Sequence, residues 1–454
     1  MKIWFDYLLT YFRRKKKTLI IFFLGCIALG FIIHQALPII TRERVTQGLV
    51  GTHQEHDLPE HILNLVSQSL ITIDNTGSPQ PNLAQSWEIN KEATLYTLKL
   101  KKDLKWSDGQ ALKASDLVLN IPDVQVNVID DQTIEFKIVD SFSPFLTLLR
   151  KPVIRKDSLI GVGPYQVQTI KKDGPFIKQL NLKPDSESLP ELTIKFYPNE
   201  KIAKNALKLG EVQALLGLND LSDFTSNRSL RSKSKVNFQQ LVTVFYNTGD
   251  PVLSDENMRL ALSYSAPNIE GEIEAKTSLP QSSWAFNPST KDYLNNPEQA
   301  KASLKKVEKG KEDQIALTAT SSLQSVGEKV IDSWKKNGIN AVLRIESGIP
   351  QNFQALLITQ NIPVDPDQYS LWHSTQKGTN ISGISSPRLD KDLEDGRKIT
   401  DLETRKQRYQ DFQKVLMDES PATFLYFPKF NIVFLKKIEN SLNKVLDIQL
   451  RNFN

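Results

Sequence analysis

Several stretches of the chain alternate apolar and polar residues with the two-residue period of a half-buried β-strand. Tyr96, Leu98 and Leu100 alternate with threonine and lysine, and Ile134, Phe136 and Ile138 repeat the pattern. Successive side chains of a strand point to opposite faces of a sheet, so each stretch predicts a strand with one buried face. Further strands are predicted at 192–196, 242–246, 341–345 and 355–358.

Other stretches repeat apolar residues every three or four positions, which predicts helices. Val326, Val330, Ile331 and Trp334 form one such stripe, which Asn337-Gly338 ends. Further helices are predicted at 202–207, 255–263 and 409–416. Helices mixed with strands in both halves predict an α/β fold in separate lobes. The length of 454 residues agrees, because single cores stop growing at roughly 250 to 300 residues.

The longest apolar run, 18–41, contains no charged residue. At about 1.5 Å per helical residue it is long enough to cross a hydrocarbon core about 30 Å thick. The basic run Arg13 to Lys17 precedes it, so the positive-inside rule predicts a cytoplasmic N-terminus and an extracytoplasmic body. A cleaved signal peptide would have a shorter apolar region. A lipoprotein signal ending at Cys26 remains the alternative to a retained helix.

The positive charge of the chain is concentrated at its start. Residues 1–17 carry a formal charge of +5, which equals the formal net charge of the whole chain. The body from residue 18 onward is therefore neutral and offers no electrostatic footprint for a nucleic acid. Cys26 is the single cysteine, so no intramolecular disulfide can form.

A series of motifs in the body resembles the family-5 extracellular solute-binding proteins, which include the dipeptide-, oligopeptide- and nickel-binding components of ABC importers. Together the motifs extend over nearly all of the chain beyond the apolar run. In chain order they are LVSQSLITID from Leu65, PNLAQSW at 81–87, YTLKLKKDLKWSDGQALKASDLV at 96–118, GVGPYQV at 161–167, FYNT at 245–248, MRLALSYS at 258–265, DPDQYSLWHS at 365–374 and the block 385–427.

The resemblance implies a two-lobed α/β fold of the type II periplasmic binding proteins, with a reduced subsidiary domain, preceded by one transmembrane helix. The expected organisation is a cytoplasmic basic segment 1–17, a transmembrane anchor 18–41, a linker 42–60, a first lobe 61–244 with a subsidiary domain at about 86–159, a second lobe 245–430, and a C-terminal segment 431–454 that returns to the first lobe.

The resemblance also implies a peptide ligand whose main chain pairs with exposed strand edges between the lobes. The positions that match the family's binding segments are Ser67, Gln68 and Ser69 in the first lobe, Ile358, Thr359 and Gln360 in the second, and Tyr246, Asn247 and Trp372 between them. The implied partners are the peptide, the permease subunits of an ABC importer and the membrane. The protein is expected to be a monomer and to need no cofactor.

One position departs from the pattern of the peptide binders. They carry an aspartate three residues before the D/E-P pair, where it holds the ligand's ammonium group, and this chain has Ile362 there. A carboxylate is the natural partner of a terminal amine, so anchoring through the N-terminus is in doubt. Asp365 or Asp367 could substitute, although each is also explained as a turn residue beside Pro366.

Other functions have less support in the sequence. The chain has no G-x-S-x-G, H-E-x-x-H or Gly-rich phosphate loop, so an enzyme is not expected. His53, His56 and His61 do not form a metal-ligand set without a fourth partner. The stronger alternative to a transport protein is a membrane-anchored sensor or assembly protein that keeps the fold without delivering a ligand.

Overall fold

The computed structural model describes residues 43–453 except 75, 118, 120, 157, 309–313 and 349. The predicted basic segment 1–17 and the predicted membrane span 18–41 lie outside the described residues. Within the described part, no helix combines the length and the apolar character that crossing a membrane requires.

A seven-stranded sheet forms the centre of the first lobe, with the strand order β12-β19-β11-β1-β10-β9-β8. The central strand β1 is parallel to β10 and β11, and the other pairs are antiparallel. The strands are β1 (Arg44–Val50), β8 (Tyr165–Asp173), β9 (Phe176–Pro184), β10 (Glu191–Tyr197), β11 (Ala214–Leu218), β12 (Leu230–Val236) and β19 (Lys429–Leu435).

The position of β1 corrects the predicted linker 42–60. This segment is polar in sequence, yet Val45 and Leu49 are buried in the core of the first lobe. Gln47 is also fully buried, and its side-chain amide exchanges hydrogen bonds of 3.0 and 2.9 Å with the side-chain amide of Gln449. The polar residue is satisfied by a partner 402 positions away, which no local pattern could reveal.

A six-stranded sheet forms the second lobe, with the order β14-β18-β13-β17-β15-β16. Strands β15 and β17 are parallel, as are β15 and β16. The strands are β13 (Gln240–Tyr246), β14 (Ile273–Glu274), β15 (Ile315–Thr320), β16 (Ala341–Glu346), β17 (Ala355–Asn361) and β18 (Ala422–Phe427). The predicted boundary at residue 244 falls inside β13, so the chain enters the second lobe earlier, at 237–239.

A four-stranded antiparallel sheet, ordered β4-β5-β7-β6, lies within the first lobe. Its core includes the alternating residues from which β5 and β7 were predicted, such as Tyr96 and Phe136. Its strands are β4 (Ala84–Ile89), β5 (Leu95–Leu100), β6 (Val124–Val128) and β7 (Thr133–Ile138), and a separate two-stranded sheet pairs β2 (Ile71–Ile73) with β3 (Pro79–Pro81).

Ten α-helices are found in the described residues. The predicted stripe beginning at Val326 lies in α6, and the stripe beginning at Tyr409 lies in α9. The helices are α1 (Glu60–Val66), α2 (Phe145–Leu148), α3 (Glu200–Lys208), α4 (Glu256–Tyr264), α5 (Pro297–Leu304), α6 (Gln324–Lys336), α7 (Tyr369–Trp372), α8 (Pro387–Lys398), α9 (Leu402–Glu419) and α10 (Glu439–Gln449).

The chain passes between the two large sheets at two adjacent points. It leaves β12 for β13 at 237–239 and returns from β18 to β19 through Pro428. Val236 pairs with Lys429 at the end of β12 and β19, and the Asn237 amide donates to the Pro428 carbonyl at 2.9 Å. The two crossings therefore run side by side.

Gly163 lies where the chain returns from the four-stranded sheet to β8. Its amide donates to the Val66 carbonyl at the end of α1, at 2.9 Å. A Cβ at this position would overlap the main chain of Val66 and Ser67 and lie 2.6 Å from the Leu65 carbonyl oxygen. Glycine is required here because the neighbouring atoms belong to the backbone of a helix end and cannot move aside easily.

We predict that Gly163→Ala lowers the free energy of unfolding by about 3 kcal/mol, the upper end of the overpacking penalty. Urea denaturation of the purified chain measures the loss. The matched control is Gly378→Ala, because a Cβ at Gly378 meets no atom within 4 Å and its φ is not positive. Equal stability of the two variants would contradict the close approach at Gly163.

Candidate functional site

A cavity of about 290 Å³ lies where the two lobes face each other beside the crossings. We call it the strand-end cavity, because the carboxyl ends of the parallel strands β1 and β11 open onto it. Open α/β sheets bind ligands at the carboxyl ends of their strands. Its lining includes Val50, His53, His61, Asn219, Thr359 and Lys429.

Strand β17 presents an unpaired main-chain edge to this cavity. On one side β17 pairs with β13 along its whole length, from Ala355 to Asn361. On the other side, β15 pairs only with Ala355 to Leu357 of β17. The edge from Ile358 to Asn361 is thus left without a neighbouring strand among the described residues.

The pairing register identifies which groups face that edge. The Asn247 amide donates to the Gln354 carbonyl at 2.8 Å, and the Ile362 amide donates to the Gln239 carbonyl at 2.9 Å. Hydrogen-bonded pairs recur at every second residue of an antiparallel ladder, so the N–H and C=O groups of Thr359 point away from β13. Outside the strand ladder, no group of the described residues bonds the Thr359 main chain.

The structure separates the residues expected to bind the peptide in the second lobe. Thr359 is exposed and lines the strand-end cavity. Ile358 and Gln360 are buried, and the Gln360 side chain donates to Thr243 Oγ1 at 3.3 Å. Asn247 is half-buried, and its side-chain amide donates to the Phe353 carbonyl at 3.0 Å. Of these four residues, Thr359 alone lines the strand-end cavity.

The structure buries Tyr246 and Trp372 fully within the second lobe, and neither of them lines the strand-end cavity. The Tyr246 hydroxyl lies 2.6 Å from Thr423 Oγ1, and burial raises the pKa of this phenol to about 12. The Trp372 indole N–H donates to Gln368 Oε1 at 2.9 Å, and its ring packs on Phe245. Their aromatic area is used in the core of the second lobe and is not available to cover a ligand.

Ser67, Gln68 and Ser69 also have structural partners. Ser67 is buried and donates to the Val153 carbonyl, and Ser69 donates to the Ile71 carbonyl at 2.6 Å. The Gln68 side chain donates to the Val162 carbonyl at 3.0 Å. These contacts fasten the end of α1 to the segments around it. The first-lobe residues that face the strand-end cavity are instead those around Val50 and His53.

A second cavity of about 440 Å³ lies on the other side of the crossing. We call it the arginine cavity, because Arg150 and Arg451 line it. Its volume is in the range of about 300 to 1,000 Å³ typical of small-molecule pockets. Both lobes and the crossing contribute, and the lining includes Ile73, Gly77, Phe238, Leu279, Trp284 and Val364.

The two lobes touch directly beside the arginine cavity. A Cβ on Gly77 would overlap the Trp284 ring, so the loop before β3 lies directly against the second lobe. The Ser143 amide and hydroxyl also donate to the Arg397 carbonyl in the last turn of α8, at 2.8 and 3.0 Å. The Arg397 guanidinium packs over the rings of Phe142 and Tyr369. The lobes are therefore in direct contact at these points.

Neither aspartate that could have replaced the missing amine anchor is available to a ligand. Asp365 and Arg405 are both buried and form a two-point ion pair with distances of 2.6 and 3.1 Å. Asp367 pairs with Arg397 Nε at 3.0 Å, although burial raises the pKa of this carboxyl to about 6. Ile362 itself is buried in the core of the second lobe.

His61 stands at the start of α1, between the strand-end cavity and the C-terminal residues. Its ring contacts Phe430 and Phe453 edge to face at centroid distances of 5.3 and 6.3 Å. Its Nε2 is buried without a hydrogen-bond partner among the described residues. Burial, with a smaller effect of His53, lowers the pKa of this imidazole to about 4. No group of three or more metal-binding side chains is found in the described part of the chain.

The comparisons with known proteins agree with this architecture. The family model of the bacterial extracellular solute-binding proteins, family 5 Middle, matches residues 78–124 and 119–381. The dipeptide-binding protein of Escherichia coli (strain K12) is 23% identical over 434 residues, which cover 76% of this chain and 80% of that protein. The oligopeptide-binding protein AppA of Bacillus subtilis (strain 168) is 22% identical over 463 residues, covering 84% of each.

Solved structures show the same fold. The structure of AppA from Bacillus subtilis in complex with a nonapeptide has a TM-score of 0.67 at 19% identity and covers 87% of this chain and 95% of that one. The structure of NikZ from Campylobacter jejuni in complex with Ni(L-His) has a TM-score of 0.70 at 22% identity and covers 86% and 94%. The expected two-lobed fold of the periplasmic binding proteins is confirmed.

We predict that His61→Phe flattens the acid dependence of stability. An unfolded histidine titrates near 6.5, so between about pH 6.5 and 4 the unfolded chain binds a proton that folded His61 does not. This linkage makes the wild-type protein lose about 2 kcal/mol between pH 7 and pH 5 through His61. Urea denaturation at both pH values should show a loss smaller by that amount in the variant.

The matched control is His56→Phe, because His56 is exposed on the same segment of the first lobe. It should keep the wild-type difference between pH 7 and pH 5. A wild-type difference in His61→Phe as well would mean that His61 is not held neutral by burial.

Proposed function

Because the chain belongs to the family-5 bacterial extracellular solute-binding proteins, we propose that it captures peptides between its lobes and delivers them to an ABC importer. The observation that carries the proposal is the open edge of β17 at Thr359, inside a cavity at the carboxyl ends of the parallel strands. Proteins named as dipeptide- and oligopeptide-binding are among its relatives.

The open edge supplies what a peptide main chain needs. A peptide laid beside Thr359 would continue the ladder that β15 leaves unfinished at Leu357. Such strand addition takes its affinity from N–H and C=O groups that every peptide carries. The side chains of the ligand would then modulate the affinity rather than create it.

The two crossings would act as a hinge that lets the lobes move apart for loading and release of the peptide. Two short adjacent connections, at 237–239 and at Pro428, join the large sheets, an arrangement suited to hinge closure around a ligand. The closed form is held by the contacts of Ser143 with α8 and of Gly77 with Trp284. A peptide that bridges both lobes would shift the equilibrium toward this form.

The N-terminal sequence supports a location on the outer face of the cell membrane. We propose that residues 18–41 are retained as a single membrane-spanning anchor, with the basic residues before them in the cytoplasm. The body would then stay close to its permease without a lipid modification.

We predict that Thr359→Pro weakens binding of the peptide Ala-Leu-Phe at least 10-fold, because proline removes the N–H at the open edge. Thr359→Ala keeps that N–H and should stay within about 3-fold of wild type. Isothermal titration of the full chain in detergent measures both, and the melting temperature without ligand reports whether each variant is folded.

A second measurement serves if Thr359→Pro does not fold. Ala-Leu-Phe is N-methylated at one peptide nitrogen at a time and titrated into the wild-type chain. Strand addition predicts that at least one methylated peptide loses 10-fold or more, because a ladder hydrogen bond is removed. If every methylated peptide binds like the parent, main-chain pairing is excluded. A saturating peptide at 100 times its Kd should also stabilise the chain by about 2.7 kcal/mol.

A further inference from the structure

The seven-stranded sheet has one end at which the chain enters the first lobe. Strand β1 starts there at Arg44 and runs toward the strand-end cavity, which lies at the opposite end of the sheet. We call the end where β1 starts the anchor end. With 18–41 as the proposed anchor, only residues 42 and 43 separate the membrane span from β1. An extended chain gains at most about 3.6 Å per residue, so the start of β1 must lie within roughly 10 Å of the span.

Hydrogen bonds place the segments beside β12 and β19 at the same end. The Gln213 amide donates to the Thr46 carbonyl at 2.8 Å, and the Leu435 amide donates to the Gln213 carbonyl at 2.9 Å. The Lys436 amide donates to the Ser229 carbonyl at 2.9 Å. These bonds run from β1 across β11 and β19 to β12. At about 4.8 Å between neighbouring strands, β12 is roughly 14 Å from β1.

Three exposed cations lie on this side of the anchor end. Arg228 precedes β12, and Lys436 and Lys437 follow β19. None of the three side chains has an ion-pair partner among the described residues. We call these residues the basic cluster. Neighbouring surface charges of one sign create a field that attracts a partner of the opposite charge.

The carboxylates closest to the basic cluster along the chain face other groups. Glu439 pairs with Lys233 at 3.4 Å. Glu211 lies near the Tyr197 hydroxyl, where burial and then Glu211 raise the pKa of this phenol to about 12. The charge of the basic cluster is therefore not neutralised locally.

The other side of the anchor end carries mixed charges. Arg44 pairs with Glu191 at 3.0 Å, and Asp185 and Glu187 follow β9. Strand β9 is the fifth neighbour of β12 in the sheet, which separates these carboxylates from the basic cluster by roughly 24 Å. Salt screens exposed charges beyond about 8 Å at physiological ionic strength, so these carboxylates do not offset the cluster. The anchor end is thus basic on one side only.

We propose that the basic cluster rests on the membrane surface and binds the headgroups of anionic lipids, which sets the orientation of the body. This inference rests on the membrane anchor in the proposed function. An anchor joined to the central strand leaves either side of the sheet free to tilt toward the bilayer, and anionic lipids favour the basic side. The strand-end cavity, at the other ends of β1 and β11, would then be held clear of the bilayer.

The test uses the full chain in nanodiscs of phosphatidylcholine, alone or with an equal amount of phosphatidylglycerol. Cys26→Ser removes the native thiol, and a fluorophore is attached through Asn440→Cys beside the basic cluster or through Asn219→Cys at the strand-end cavity. A nitroxide on the lipid headgroups quenches a nearby fluorophore. Phosphatidylglycerol should raise the quenching at position 440 about 2-fold and leave position 219 unchanged. High salt should remove the rise, because it screens the attraction.

Charge variants identify the residues responsible. Glutamine replaces the basic cluster in the triple variant Arg228→Gln, Lys436→Gln and Lys437→Gln, which should lose the rise. The matched control changes three exposed lysines of α6 in the second lobe and should keep it: Lys329→Gln, Lys335→Gln and Lys336→Gln. Both variants lose the same charge. Both should melt at the wild-type temperature, because all six side chains are exposed.

Flotation of the full chain with phosphatidylcholine vesicles at high salt tests the anchor separately. A chain that floats but shows equal quenching at position 440 in both lipid mixtures would overturn the orientation and leave the anchor standing. A rise that persists in the triple variant would also overturn it. Failure to float would reject the anchor and the orientation together. The nanodiscs contain no permease, so an acidic surface of the permease cannot produce the rise.

Discussion

The pairing of β12 with β19 is the constraint on which the rest of the structure depends. These strands come from positions almost 200 residues apart, yet they pair from Leu230 with Leu435 to Val236 with Lys429. The last residue of β12 is paired with the first residue of β19. The chain therefore crosses to the second lobe and returns through neighbouring segments. The crossings separate the two cavities and fix where the ends of the parallel strands meet. A slip in this pairing would displace one crossing relative to the other and change the cleft.

The charged groups of the second lobe serve its stability before they can serve a ligand. Asp365 and Arg405 neutralise each other in the core, and removing one partner of such a pair would leave a buried charge at a cost of about 3 to 5 kcal/mol. Asp367 is likewise committed to Arg397, which also packs against Phe142 of the first lobe. The second lobe therefore brings apolar groups to the arginine cavity, and the charges there come from the first lobe.

The sequence was sufficient for elements whose burial follows a local period. Strands β5 and β7 were predicted from Tyr96 and Phe136, which are buried as the alternation requires. Strand β1 was missed because Thr46 and Gln47 make it look like a linker, and the partner of Gln47 lies at the other end of the chain. The period of apolar residues predicts which side chains are buried. It does not identify the distant residue that forms hydrogen bonds with a buried polar side chain.

The site was less predictable than the fold for a related reason. Ser67, Tyr246 and Trp372 carry groups that could bind a ligand, but each is used inside a lobe. Whether a strand edge is open depends on where the pairing with its neighbour stops, and the pairing of β15 with β17 stops at Leu357. The lining of the arginine cavity likewise includes Arg451, which reaches it because α10 packs against α1 at the other end of the chain.

In the proposed peptide complex, two kinds of interaction would hold the lobes together. A peptide paired with the open edge at Thr359 would contribute main-chain hydrogen bonds, which any peptide can form. The lobes also contact each other directly, since Ser143 donates to the carbonyl groups of Arg397 in α8 and of Ile399 just after it. A ligand then needs only a modest preference for the closed form to populate it, because the contacts between the lobes already supply part of the free energy. Loose selectivity for the side chains of the peptide would follow from such main-chain pairing.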